Sequence, residues 1–145
     1  HAHKRGTNDL GKSFRINVAG GDPRYSFHWP GTSNRLYVFE APIDLLSFVT
    51  LYPEGWQEHS YVACCGTSSQ PVLQMMEQNP ALREVFLCLD NDKAGHTACL
   101  RIAERVAEQF GIASDRLIPQ NKDWNDDLAE ITEAQALAPV TQQMG

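Results

Sequence analysis

The stretch Val85–Gly95, VFLCLDNDKAG, constrains this chain more than any other. Val85, Phe86, Leu87 and Leu89 run without polar alternation into Asp90-Asn91-Asp92, and a small-residue turn and a long amphipathic segment follow. An unbroken apolar run fits a strand buried on both faces. Carboxylates at its end then stand on the carboxyl edge of a parallel sheet, where open α/β sheets hold their ligands. In an extended chain the side chains of Asp90 and Asp92 lean the same way. Paired oxygens there suit a hard divalent cation such as Mg²⁺.

The rest of the pattern supplies the sheet. Leu36-Tyr-Val-Phe39 reads as a strand ending at Glu40. Pro42 suits a first helical turn, and Ile43 to Leu51 carries an apolar stripe, with Asp44 placed to complement the helix dipole. Tyr61–Cys65 reads as the second strand. Gly66-Thr67-Ser68-Ser69 then opens a helix from about Gln70 to Gln78. That turn reads as a helix cap, since it carries no Walker lysine or GxGxxG to mark a phosphate cradle. After Gly95, apolar residues at helical spacing run to Phe110, and Gly111 stops the helix. Arg116-Leu-Ile118 reads as a short fourth strand, and Asn125 or Asp126 as the cap of a last helix through Leu137.

The expected fold class is therefore α/β, a mainly parallel four-stranded sheet flanked by helices, carrying an N-terminal β-hairpin appendage. Phe14–Val18 and Tyr25–Trp29 each alternate around the turn chemistry of Ala19-Gly-Gly-Asp-Pro23. Residues 1–35 read as the appendage, 36–138 as the main α/β domain and 139–145 as a frayed tail. Arg5, Lys12, Arg15 and Arg24 make the appendage the most basic part of the chain, and they read as the solvated surface of the hairpin.

At 145 residues the length suits one domain. The net charge of −6 argues against a self-sufficient nucleic-acid binder. No apolar run approaches the ~20 residues of a membrane helix, so no membrane partner is expected. The opening His1-Ala2-His3-Lys4-Arg5 carries no signal-peptide pattern and reads as a fragment of something longer, with flanking domains missing. Cys64, Cys65, Cys88 and Cys99 show no Cys-x-x-Cys spacing and read as small core hydrophobes in a reducing, cytoplasmic setting.

Asp-x-Asp behind one buried strand, and LYVFEAPID ending an earlier strand in Glu, together resemble the Toprim domain over about Leu36 to Leu128. That module is shared by bacterial primases, topoisomerases, recombination mediators and overcoming-lysogenization nucleases. The likeness points to primase-like proteins of plasmids and conjugative elements. It implies that Asp90 and Asp92 hold metal and that Glu40 is a general acid/base or a further ligand. Lys122–Leu128 resembles the acid-bearing end of primase-type Toprim domains, which adds Asp123 as a metal ligand. Asp44, Lys93 and Asp126 are accessory candidates. Many Toprim domains place Gly after the motif Glu, where this chain has Ala41.

Acids at the ends of parallel strands share one edge. Crowded carboxylates repel and push their pKa values up, which Mg²⁺, or Mn²⁺ in its place, relieves. The expected activity is Mg-dependent nucleotidyl or phosphoryl transfer on nucleic acid, in the catalytic core of a primase-like DNA replication protein of a mobile element. Single-stranded DNA template and nucleotides would be its partners through the full-length protein. Two alternatives stand beside it: a metal-dependent Toprim nuclease, and a non-catalytic Toprim assembly module. The fold alone does not choose among the three.

Overall fold

The computed structural model of the chain describes residues 27–64 and 68–137. Strands β1 (Phe27–Trp29), β2 (Arg35–Phe39), β3 (Ser60–Ala63), β4 (Glu84–Leu87) and β5 (Ser114–Arg116) form one sheet in the order β1-β3-β2-β4-β5. β2 pairs in parallel with β3 and β4, and β4 with β5, while β1 lies antiparallel along β3. The helices are α1 (Pro42–Leu51), α2 (Gln70–Gln78), α3 (Lys93–Phe110) and α4 (Trp124–Leu137).

The missing alternation in the strands has a direct cause. Successive side chains enter two different cores, so neither face needs polar residues. Leu36, Val38, Val62, Val85 and Leu87 point to one core, completed by α2 and α3. Tyr37, Phe39, Tyr61 and Ala63 point to the other, completed by Leu45, Phe48 and Val49 of α1 and by Trp124. Accordingly α1 packs on α4 and α2 packs on α3, one pair over each face. Truncating a fully buried residue such as Leu36 or Leu89 to alanine costs about 2–5 kcal/mol.

Two features depart from the sequence pattern. The fourth parallel strand is Ser114–Arg116 rather than Arg116–Ile118, and Ile118 is half exposed. Phe27–Trp29, expected as one arm of a separate hairpin, joins the sheet as its antiparallel edge. The other arm, Phe14–Val18, and the tail from residue 139 lie outside the described residues.

The topology places the site. The chain leaves β2 through α1 toward β3, and leaves β4 through α3 toward β5, in opposite directions along the sheet. β2 and β4 are neighbours, so their carboxyl ends flank a topological switch point, the crevice where such sheets bind ligands. Glu40 follows β2 and the segment bearing Asp90 follows β4.

Candidate metal centre

β4 ends at Leu87, and its register with β2 continues through the Cys88 amide, which donates to the Val38 carbonyl at 2.7 Å. Cys88 and Leu89 are buried, and Asp90 emerges at the edge. The Asn91 amide donates to the Lys122 carbonyl at 2.6 Å, and its side-chain Nδ2 donates to the Pro119 carbonyl at 3.1 Å. Asn91 therefore ties the exit of β4 to the loop that delivers Asp123. A Cβ on Gly95 would collide with the Asp90 carbonyl, so only glycine lets the first turn of α3 close against this segment.

Three carboxylates converge here. Asp44, Asp90 and Asp123 each offer an oxygen within 4.8 Å of the others. Asp44 comes from the first turn of α1 but does not cap it, since Ala41 is the N-cap and makes no side-chain cap bond. Instead Asp44 is buried, only 4% exposed, and accepts from the Asn125 amide at 3.2 Å. Asp123 caps α4 through Oδ1, which accepts from the Asp126 amide at 2.8 Å. The cap thus lies ahead of Asn125 and Asp126, the residues the sequence pattern favours for it.

Glu40 stands beside the triad. Its Oε1 and the Oδ1 of Asp90 are both buried with no hydrogen-bond partner. The charges of Glu40, Asp44, Asp123 and Asp92, added to burial as the largest cause, push the Asp90 carboxyl up to about 7. Burial, followed by the charges of Asp123, Glu40 and Asp126, raises Asp44 to about 6 against the opposing Asn125 hydrogen bond. Orphaned buried oxygens in a crowd of acids are the donor set a hard divalent cation requires. The residues present fit such an ion.

Asp92 takes a different place. The strand ends at Leu87, so Asp92 lies beyond the regular extended stretch from which a common lean with Asp90 is expected. Asp92 is the N-cap of α3, and its Oδ1 accepts from the Gly95 amide at 2.7 Å. Its oxygens are outside the set that converges within 4.8 Å. Lys93 is exposed at the start of α3, and Asp126 is exposed on α4. Ala41 has φ −135°, extended backbone open to any residue, so glycine is not needed there for conformation.

Residues outside the expected site set hold the cluster together. Trp124, 5% exposed, donates Nε1 to the Cys88 carbonyl at 2.8 Å and packs edge-on against Phe48. Asp127 is buried and accepts from the amides of Gln120 and Asn121 and from the Asn121 side chain, which shapes the loop before Asp123. Ser47, buried in α1, bonds to Asn125 Oδ1 at 3.3 Å and helps keep the start of α4 over Asp44.

Comparison with known proteins follows the same outline. A Mycoplasma pneumoniae protein described as an uncharacterized MG010 homolog is 31% identical over 101 residues, covering 68% of this chain and 45% of its own. The primase fragment of the bacteriophage T7 primase-helicase protein superimposes with a TM-score of 0.57 at 18% identity, over 79% of this chain and 48% of that one. A DNA primase domain from Pseudomonas aeruginosa gives a TM-score of 0.46 at 14% identity, over 87% of this chain and 54% of that one. The chain thus spans about half the length of the proteins it matches. The Toprim-like family model matches residues 37–128, the whole span from β2 to the capped start of α4 that builds the acidic cluster, and this chain belongs to that family.

Proposed function

We propose that this chain is the metal-binding catalytic core of a primase-like protein, carrying out divalent-cation-dependent nucleotidyl transfer on nucleic acid. The observation that carries the reading is the convergence of Asp44, Asp90 and Asp123 at the switch point of the sheet. The primase folds that this chain resembles support the same reading.

Asp44, Asp90 and Asp123 would hold Mg²⁺, or Mn²⁺ in its place. Asp92 uses Oδ1 for the cap bond, and its second carboxylate oxygen would be a further donor. A divalent cation bound there supplies charge neutralisation at phosphoryl oxygens. Glu40, whose buried Oε1 has no hydrogen-bond partner, would take or return a proton at that oxygen. Lys93, exposed one residue beyond Asp92, is a candidate contact for a substrate phosphate. We assign the nucleic-acid grip to flanking domains, because a net charge of −6 disfavours phosphate binding by this chain alone. Cys88 and Cys99 are free and buried, which suits a reducing, cytoplasmic compartment.

The test is a Mn²⁺ titration of the chain, followed by ribonucleotide incorporation on a single-stranded template with supercoiled plasmid in parallel. Mn²⁺ binding and incorporation, both lost in Asp90→Asn, support the reading. Nicking without incorporation transfers the site to nuclease chemistry. No Mn²⁺ binding overturns the catalytic reading in favour of an assembly module.

A further inference from the structure

Arg116 closes β5, an edge strand of three residues, and its half-buried guanidinium reaches a set of backbone carbonyls. The two N–H bonds of Nη1 are shared among the carbonyls of Leu89 at 2.8 Å, Leu117 at 3.0 Å and Leu87 at 3.1 Å. Nη2 donates to the Asp90 carbonyl at 2.9 Å and faces His96 Nδ1 at 3.2 Å. Arginine can only donate, so in a hydrogen bond between the two His96 Nδ1 is the acceptor.

From these contacts we infer that Arg116 is a positioning residue for the acidic cluster, fixing the path of the segment that aims Asp90. The regular ladder of β4 ends at Leu87, so the carbonyls beyond it have lost their strand partner. Trp124 takes the Cys88 carbonyl, and Arg116 takes those of Leu89 and Asp90. A carbonyl shielded from water and left without a donor is unfavourable, which favours a different path for so short a loop. The guanidinium also reaches the first turn of α3 through His96, so one planar group joins β4, β5 and α3 at the residue before Asn91. Its bonds run to backbone oxygens rather than to the Asp90 carboxylate, so it orders the cluster without neutralising it. Lysine, a point charge without the planar fork, cannot meet the same set of acceptors.

The functional consequence rests on the metal-site reading proposed above, and the experiment separates the two. Arg116→Met and Arg116→Lys are compared with the unaltered chain by Mn²⁺ affinity in electron paramagnetic resonance titration, by thermal melting, and by hydrogen exchange at the Asn91 amide. A group that orients a metal ligand from behind is worth about 10–100-fold in affinity. The expected result is that loss in Arg116→Met, a smaller loss in Arg116→Lys, faster exchange at Asn91 in both, and partial recovery of an Arg116→Ala variant by added ethylguanidinium. Lowered melting temperature with unchanged Mn²⁺ affinity in the folded variants overturns the inference and leaves Arg116 a stabilising residue only. If Arg116→Met does not fold, Arg116→Lys decides. If the unaltered chain binds no Mn²⁺, the metal reading falls by itself, and unchanged Asn91 exchange then overturns the positioning role while faster exchange upholds it.

Discussion

Trp124 donates its indole N–H to the Cys88 carbonyl at 2.8 Å, which fixes the residue after Asp123 to a point two residues before Asp90. The bond is buried and spans 36 residues of sequence, so two distant segments meet through it. Trp124→Phe keeps most of the packing against Phe48 but leaves the Cys88 carbonyl without its donor. The expected loss of stability is about 1–3 kcal/mol, read by urea denaturation. Mn²⁺ affinity falls in parallel, because Asp123 loses its anchor. A variant as stable as the parent would show that water replaces the indole.

Gly95→Ala is the sharpest steric test of the cluster. Elsewhere on an exposed helix the change would favour helix formation, since glycine is the poorer former by about 1 kcal/mol. Here the added methyl meets the Asp90 carbonyl, a backbone atom with little room to move. The expected outcome is a fall in melting temperature and weaker Mn²⁺ binding together. A rise in melting temperature would mean that α3 shifts freely, and that the close approach is not needed.

The raised carboxyls give the metal-free protein a defined dependence on pH. Asp90, at about 7, and Asp44, at about 6, both sit above the unfolded value of about 3.9. Between pH 4 and pH 7 the folded state therefore holds more protons than the unfolded state, and stability falls as pH rises through that window. Above pH 7 the curve flattens. Asp90→Asn removes the upper part of the decline, leaves the part due to Asp44, and abolishes Mn²⁺ binding while keeping the fold. Urea denaturation at pH 5 and pH 8, with and without Mn²⁺, measures this. Mn²⁺ should stabilise the parent chain at pH 8 far more than at pH 5. Stability that rises steadily over this range in the metal-free chain would contradict the crowding of the carboxylates.

What the sequence made legible follows the range of the interactions involved. The strands were visible because residues such as Val38 and Val85 sit in continuous apolar runs, and those runs arise from two cores, one on each face. Glu40 and Asp90 stood out because each closely follows such a run. Asp44 looked like a helix-dipole acid, because its first-turn position is local information while its meeting with Asp90 and Asp123 is not. The common direction assumed for Asp90 and Asp92 required extended chain through Asp92, and the actual end of β4 at Leu87 depends on where β5 stops supplying partners. Asn91, Trp124 and Arg116 act on carbonyls 28, 36 and 26 residues away in sequence. Periodicity carries no trace of contacts of that kind.

Asp92 separates a capping role from a ligand role by the choice of replacement. Its Oδ1 caps α3, and losing a cap of this kind costs about 0.5–2 kcal/mol. Asparagine caps as well as aspartate does, so Asp92→Asn keeps the helix start but removes the charge, whereas Asp92→Ala removes both. With Asp44, Asp90 and Asp123 as the holding set, Asp92→Asn leaves stability unchanged and weakens Mn²⁺ binding only modestly through the lost charge. Asp123→Asn, under the same titration, weakens it at least as much as removing a direct ligand should. If Asp92→Asn abolishes Mn²⁺ binding as completely as Asp90→Asn does, then Oδ2 of Asp92 is a ligand. The ion would then lie toward α3 and away from Asp44.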